Sequence, residues 1–151
     1  MPKFVLTISN NEIAKQIADL LNSGKQLWFH QMPQGILGNP IEYLVELDQQ
    51  KVIAVVGLEL KAPQVTEIKH LVVHPDYRKR GLGKKMLEFA IMHAKTNYVF
   101  GTVGVDNVEN IRNNFRVGMV PIGKYRNNRR MIIVFARRRS NGANACKFAK
   151  H

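Results

Sequence analysis

Residues 70–87, His70-Leu-Val-Val-His-Pro-Asp-Tyr-Arg-Lys-Arg-Gly-Leu-Gly-Lys-Lys-Met-Leu, put a strand end, a basic glycine turn and a helix start in immediate succession. A helix N-terminus leaves backbone N–H groups unpaired and carries the positive end of the helix dipole. Glycine at 81 and 83 removes the Cβ atoms that would hold an anion off the backbone, and Arg78, Lys79, Arg80, Lys84 and Lys85 add charge around the same point. The stretch therefore asks for an α/β fold and predicts a di- or triphosphate-bearing ligand. Two familiar phosphate loops fail against it. A P-loop needs Gly at 78 and Ser or Thr at 85, where Arg78 and Lys85 stand. The dinucleotide fingerprint needs Gly at 86, which is Met86, and an all-parallel sheet.

The flanking elements point to a largely antiparallel sheet. Residues 3–8 read as a first strand, and Ser9-Asn10-Asn11 with Glu12 form a capping box for a helix carrying Ile13, Ile17, Leu20 and Leu21 at its spacing and closed by Gly24. Residues 25–40 read equally as a broken helix or a loop. Strands are predicted over 42–47, 51–60 and 65–73, joined by turns at Asp48-Gln49-Gln50 and Ala62-Pro63-Gln64. In the third strand Ile68 falls on one face while Leu71 and Val73 fall on the other, so a one-residue bulge is expected near His70. A helix over about 81–95, a strand over 98–105, a short helix over 107–117 stopped by Gly118, and a hairpin of 120–126 with 131–137 around Asn127-Asn128 complete the pattern. Residues 1–139 are expected to form one domain, with 140–151 as a frayed basic tail. His70 and His74, beside the loop, read as structural.

The chain has 151 residues, enough for one core, and its net charge of +12 is unevenly spread. Residues 1–109 hold 12 Lys/Arg against 11 Asp/Glu, whereas residues 110–151 hold 11 Lys/Arg and no acid. That asymmetry points to a polyanionic partner or to a solvated basic surface. No apolar run is long enough to span a membrane, the start has no signal-peptide pattern, and one cysteine, Cys146, suits a reducing cytoplasm. No His or Cys cluster has metal-ligand spacing.

Arg78-x-x-Gly81-x-Gly83, preceded by a strand ending Leu71-Val72-Val73-His74-Pro75, resembles the acetyl-CoA-binding motif of the Gcn5-related N-acetyltransferase (GNAT) superfamily. The predicted element order resembles that fold as well: a mixed, largely antiparallel central sheet flanked by helices. The resemblance implies that the amides of Arg78, Lys79, Arg80, Gly81, Leu82, Gly83 and Lys84 hold the pyrophosphate of acetyl-CoA, or of another acyl-CoA. It also implies that Leu71, Val72 and Val73 lie along the acyl-pantetheine end, with the Leu71 N–H polarising the thioester carbonyl as an oxyanion-hole donor. Asn107 matches a cofactor-contacting asparagine of the family and also suits a helix cap.

Transfer to an amine needs the nitrogen neutral, so a base must take a proton. Glu67 stands where histone-type members carry their glutamate base, and reads equally as a strand carboxylate paired with Lys61 or Lys69. The tyrosine that donates to the departing thiolate in many members is replaced by Asn114, an amide that cannot give up a proton and that by its position is expected to contact the cofactor. A thiol of pKa about 8.5 can leave as thiolate, or Tyr125 or Tyr98 substitutes as donor. Trp28 and Phe29 fall on the acceptor side by resemblance; an aromatic pair there is ordinarily core, and a nucleobase acceptor would make Trp28 a stacking surface. The first functional reading is acetyl transfer to an amine, on nucleic acid or a nucleic-acid-linked acceptor. The second is a non-catalytic nucleic-acid-binding module on the same scaffold, favoured by the missing tyrosine and opposed by the intact loop. A third keeps the cofactor site but uses another acyl group or transfer to a base.

Overall fold

The computed structural model describes residues 11–23 and 40–139 of the chain. The expected strand over 3–8, the cap at Ser9, the segment holding Trp28 and Phe29, and the tail with Cys146 lie outside them. The helix α1 spans Asn11–Ser23, and Ala14, Ile17, Ala18, Leu20 and Leu21 recur on its buried face at helical spacing. Three strands follow: β1 (Glu42–Asp48), β2 (Lys51–Ala62) and β3 (Val65–Val73). They are joined by two-residue turns, since Asp48 pairs with Lys51 and Ala62 with Val65. Then come α2 (Leu82–His93), β4 (Tyr98–Gly104), α3 (Val108–Arg116), β5 (Val120–Asn127) and β6 (Arg130–Arg138).

The six strands lie in the order β1-β2-β3-β4-β6-β5. Every pairing is antiparallel except β3 with β4, which run parallel through three residue pairs, Val65 with Tyr98, Thr66 with Val99 and Glu67 with Phe100. Beyond Glu67 the two strands part. One apolar layer, built on Leu44, Val56, Ile68, Val99 and Phe135, meets Met86, Leu87, Ala90 and Ile91 of α2. The other face, with Tyr43, Val45, Val55 and Val72, takes the buried stripe of α1.

The expected bulge is present. Val55 pairs with Val72 but Gly57 with Lys69, so Val56 faces both His70 and Leu71. Ile68, Leu71 and Val73 consequently share the α2 side of the sheet. The last turn sits one residue later than expected: Asn127 pairs with Arg130, leaving Asn128-Arg129 as the loop. Asn128 has φ 54°, a left-handed conformation that asparagine tolerates well.

Candidate active site

The parting of β3 and β4 opens a cleft of about 1060 Å³. One wall is the end of β3, with Leu71, Val72 and Val73; the mouth is the loop into α2, with Arg78, Lys79, Gly81, Leu82, Gly83 and Lys84. Asn107, Asn110, Asn113 and Arg116 of the α3 segment form the opposite wall.

The loop is open toward that space. Lys79 and Gly81 have φ of 64° and 78°, and such alternation turns successive N–H groups to one side. The first helical bond of this end runs from Lys85 N–H to the Gly81 carbonyl. Among the described residues no acceptor takes the amides of residues 79–84. A Cβ built on Gly81 meets nothing within 4 Å, so the hollow in front of it is free. Gly83 is glycine for a second reason: a Cβ there would lie 2.7 Å from Asn113 Nδ2. Unpaired amides, a helix N-terminus and the cationic side chains of Arg78, Lys79 and Lys84 are a donor set suited to a diphosphate. Arg80 is turned off the cleft, over the Tyr77 ring at 5.0 Å, with Tyr77 itself donating to Asp48 at 2.6 Å.

Strand alternation settles where Leu71 and Val73 aim. The His74 N–H donates to Ile53 on β2, so Val72 also faces β2, while the polar backbone groups of Leu71 and Val73 face away, into the gap. The Val73 carbonyl accepts from Arg78 Nε at 3.3 Å, tying loop to strand.

The other expected residues fall in different places. Asn107 caps α3, its side chain accepting from the Asn110 N–H at 3.2 Å, and it also lines the cleft. Asn114 is 3% exposed and turned back along its helix, Nδ2 donating to the Asn110 carbonyl and Oδ1 at 2.8 and 3.1 Å. It does not line the cleft; Asn113 does. Asn110 and Asn113 were missed by the sequence reading, although both follow Asn107 at intervals of three. Tyr125 is exposed on β5, the outermost strand, with β6 between it and β4, and Tyr98 is at the closed end of the β3–β4 pair. Neither borders the cleft.

Glu67 occupies the fork itself, as the last β3 residue paired with β4. It points to the α1 side, opposite Ile68, and meets both candidate partners, Lys61 at 3.5 Å and Lys69 at 3.6 Å. Glu59 completes the cluster at 3.2 Å from Lys61 and 3.7 Å from Lys69. Burial pulls the Glu59 carboxyl upward, but the two lysines outweigh it and hold it below its ordinary value.

An open sheet forked between two parallel strands, with an anion nest at the mouth and a carboxylate at the crotch, suits an elongated ligand that carries a diphosphate. The sequence matches the model of the acetyltransferase (GNAT) family over residues 13–114, and the chain belongs to that family: it is an N-acyltransferase whose acyl donor is acetyl-CoA. Solved structures agree in fold. The ribosomal-protein-S18-alanine N-acetyltransferase of Escherichia coli superposes with a TM-score of 0.77 at 16% identity, covering 95% of this chain and 98% of that one. Arabidopsis thaliana NAA60, in complex with a bisubstrate analogue, gives 0.71 at 17% identity, with 91% and 98% covered. A GNAT family acetyltransferase from Elizabethkingia anophelis with acetyl-CoA bound gives 0.65 at 16%, with 80% and 88% covered. No curated protein sequence matches the chain.

Proposed function

We propose that the chain transfers acetyl from acetyl-CoA to an amine carried on, or linked to, nucleic acid in the cytoplasm. Bound acetyl-CoA supplies an acetyl thioester. The amides of residues 79–84, with Arg78, Lys79 and Lys84, hold the diphosphate. Backbone groups of Leu71 and Val73 line the pantetheine end, and Asn107 contacts it from the far wall. The Leu71 N–H polarises the thioester carbonyl. Glu67 accepts the amine proton, directly or through a water. Asn114 is spent on its own helix, Tyr125 lies two strands from the fork, and Tyr77, the phenol that lines the cleft, donates to Asp48, so in this reading the thiolate leaves unprotonated. The observation that carries the cofactor assignment is the row of unpaired amides facing the cleft.

The nucleic-acid part rests on the basic C-terminal quarter, in which three of the arginines are tied to the protein itself. Arg137 donates to the Val117 carbonyl, Arg139 to those of Ile91, Met92 and Thr96, and Arg130 to Asp106 at 2.9 Å. Burial lowers the guanidinium pKa of both Arg137 and Arg139. These three serve the fold. Arg112, Arg116, Lys124, Arg126, Arg129 and Arg138 remain exposed. Incubation with labelled acetyl-CoA and separate pools of RNA, DNA, peptides and polyamines tests the acceptor: label confined to peptides or polyamines refutes the nucleic-acid reading. Charge contacts also require affinity for RNA to fall steeply with salt.

A further inference from the structure

The bulge at His70 is held by a device that crosses three strands. Tyr43 on β1 pairs in register with Gly57 on β2, which pairs with Lys69 on β3. A Cβ on Gly57 would lie 2.7 Å from Ile41 Cγ2 and 3.3 Å from the Tyr43 ring. The ring therefore lies flat across the bare backbone of β2, and its hydroxyl reaches His70 Nδ1 at 2.9 Å. The two rings run nearly parallel, at 16° with centroids 6.0 Å apart. His70 itself has φ 57°, a conformation costly for a residue with a Cβ. A strained residue held by a buried tyrosine, itself 2% exposed, implies that the bulge serves the end of β3 beyond it. Were the strand to run through His70 in regular alternation, Leu71 would share the orientation of Lys69, whose carbonyl points at β2. The bulge is what turns the Leu71 N–H into the cleft.

We propose that Tyr43 and His70 are positioning residues: their hydrogen bond, laid across Gly57, locks the bulge and so aims the Leu71 amide at the acyl carbonyl. The lock rests on the oxyanion role proposed for Leu71. Burial, reinforced by Lys69 against the opposing pull of Glu59, lowers the His70 pKa to about 4, so the ring is neutral at working pH. Burial and Glu59 raise the Tyr43 phenol, which keeps its proton. A neutral imidazole nitrogen can then accept from a protonated hydroxyl. Neither Tyr43 nor His70 lines the cleft, and loss of their contact should leave the diphosphate end of the site untouched.

Carbonyl-labelled [1-13C]acetyl-CoA, bound to the whole chain, reports polarisation by a downfield shift of its carbonyl resonance. The unaltered protein should show the shift. Tyr43→Phe keeps the ring and removes the hydroxyl, while His70→Gly keeps the left-handed backbone and removes the imidazole. Each should lose most of the shift and weaken acetyl-CoA about 2- to 10-fold, as expected for one hydrogen bond, with the Kd for CoA itself within twofold. His70→Asn tolerates the backbone and can accept from Tyr43, and should restore the shift. A full shift in both Tyr43→Phe and His70→Gly overturns the lock alone. Parallel loss of CoA affinity overturns it too, by making the contact merely structural. A flat resonance in the unaltered protein refutes the Leu71 reading, and the lock with it.

Discussion

Gly83→Ala should change sign with its background. The added Cβ would stand 2.7 Å from Asn113 Nδ2, well inside ordinary contact. Asn113 is 6% exposed, so its amide can give way only toward the cleft that it borders. Overpacking of this kind costs about 1–3 kcal/mol. Against that, Gly83 lies inside α2 without a positive φ, and alanine in a helix gains up to about 1 kcal/mol over glycine. The net in the original chain is a loss of about 0–2 kcal/mol. With Asn113→Ala the obstacle is gone, and the same Gly83→Ala should stabilise by about 0.5–1 kcal/mol. The coupling in a double-mutant cycle is then about 1–3 kcal/mol, well beyond the few tenths expected of independent sites. Urea unfolding followed by circular dichroism measures all four corners, provided the m-values agree. Additivity within about 0.5 kcal/mol, or an unchanged sign, would refute the contact.

His70 makes stability depend on pH. Its folded pKa of about 4 lies below the unfolded 6.5, so its contribution is intact above 6.5 and is lost as pH falls toward 4. Full linkage would be about 3 kcal/mol, nearer 2 after discounting for partial exposure, and His70→Asn should flatten that part of the curve in pH-dependent unfolding. Glu67→Gln should slow acetyl transfer by about 10²-fold or more at neutral pH with little change in acetyl-CoA affinity; an unchanged rate removes Glu67 from the proposed mechanism. Arg139→Ala strips three carbonyl partners from the end of α2 and the turn after it, and should cost about 2–3 kcal/mol in the same unfolding assay.

What could be read from the sequence was local. The loop announced itself because glycine, arginine and lysine stand between a strand pattern and a helix pattern. The bulge announced itself because Ile68 and Leu71 break a period of two. The rest depended on partners distant in the chain. Nothing near Tyr43 shows that its ring crosses Gly57 to reach His70, 27 residues on. The placement of β6 between β4 and β5, which removes Tyr125 from the fork, is a matter of strand order that hairpin signals do not carry. Arg137 and Arg139 looked like free charge because a count cannot distinguish a solvated guanidinium from one donating to helix-end carbonyls. Asn113 and Asn114 are adjacent and identical in type, yet only the helical phase assigns one to the cleft and the other to its own backbone.

The joint between β3 and β4 has only three rungs. The sheet is thus two ladders hinged at one short seam, each already closed by its own hairpins. Past the seam, the Leu71 and Val73 amides of β3 face a gap that no strand of the described residues fills. A guest with amides spaced along a flexible arm can serve as the missing seventh member, so completing the architecture and capturing the guest become one event. Hydrogen exchange at Leu71 and Val73 should then slow on cofactor addition, while the hairpin turns far from the seam keep their rates.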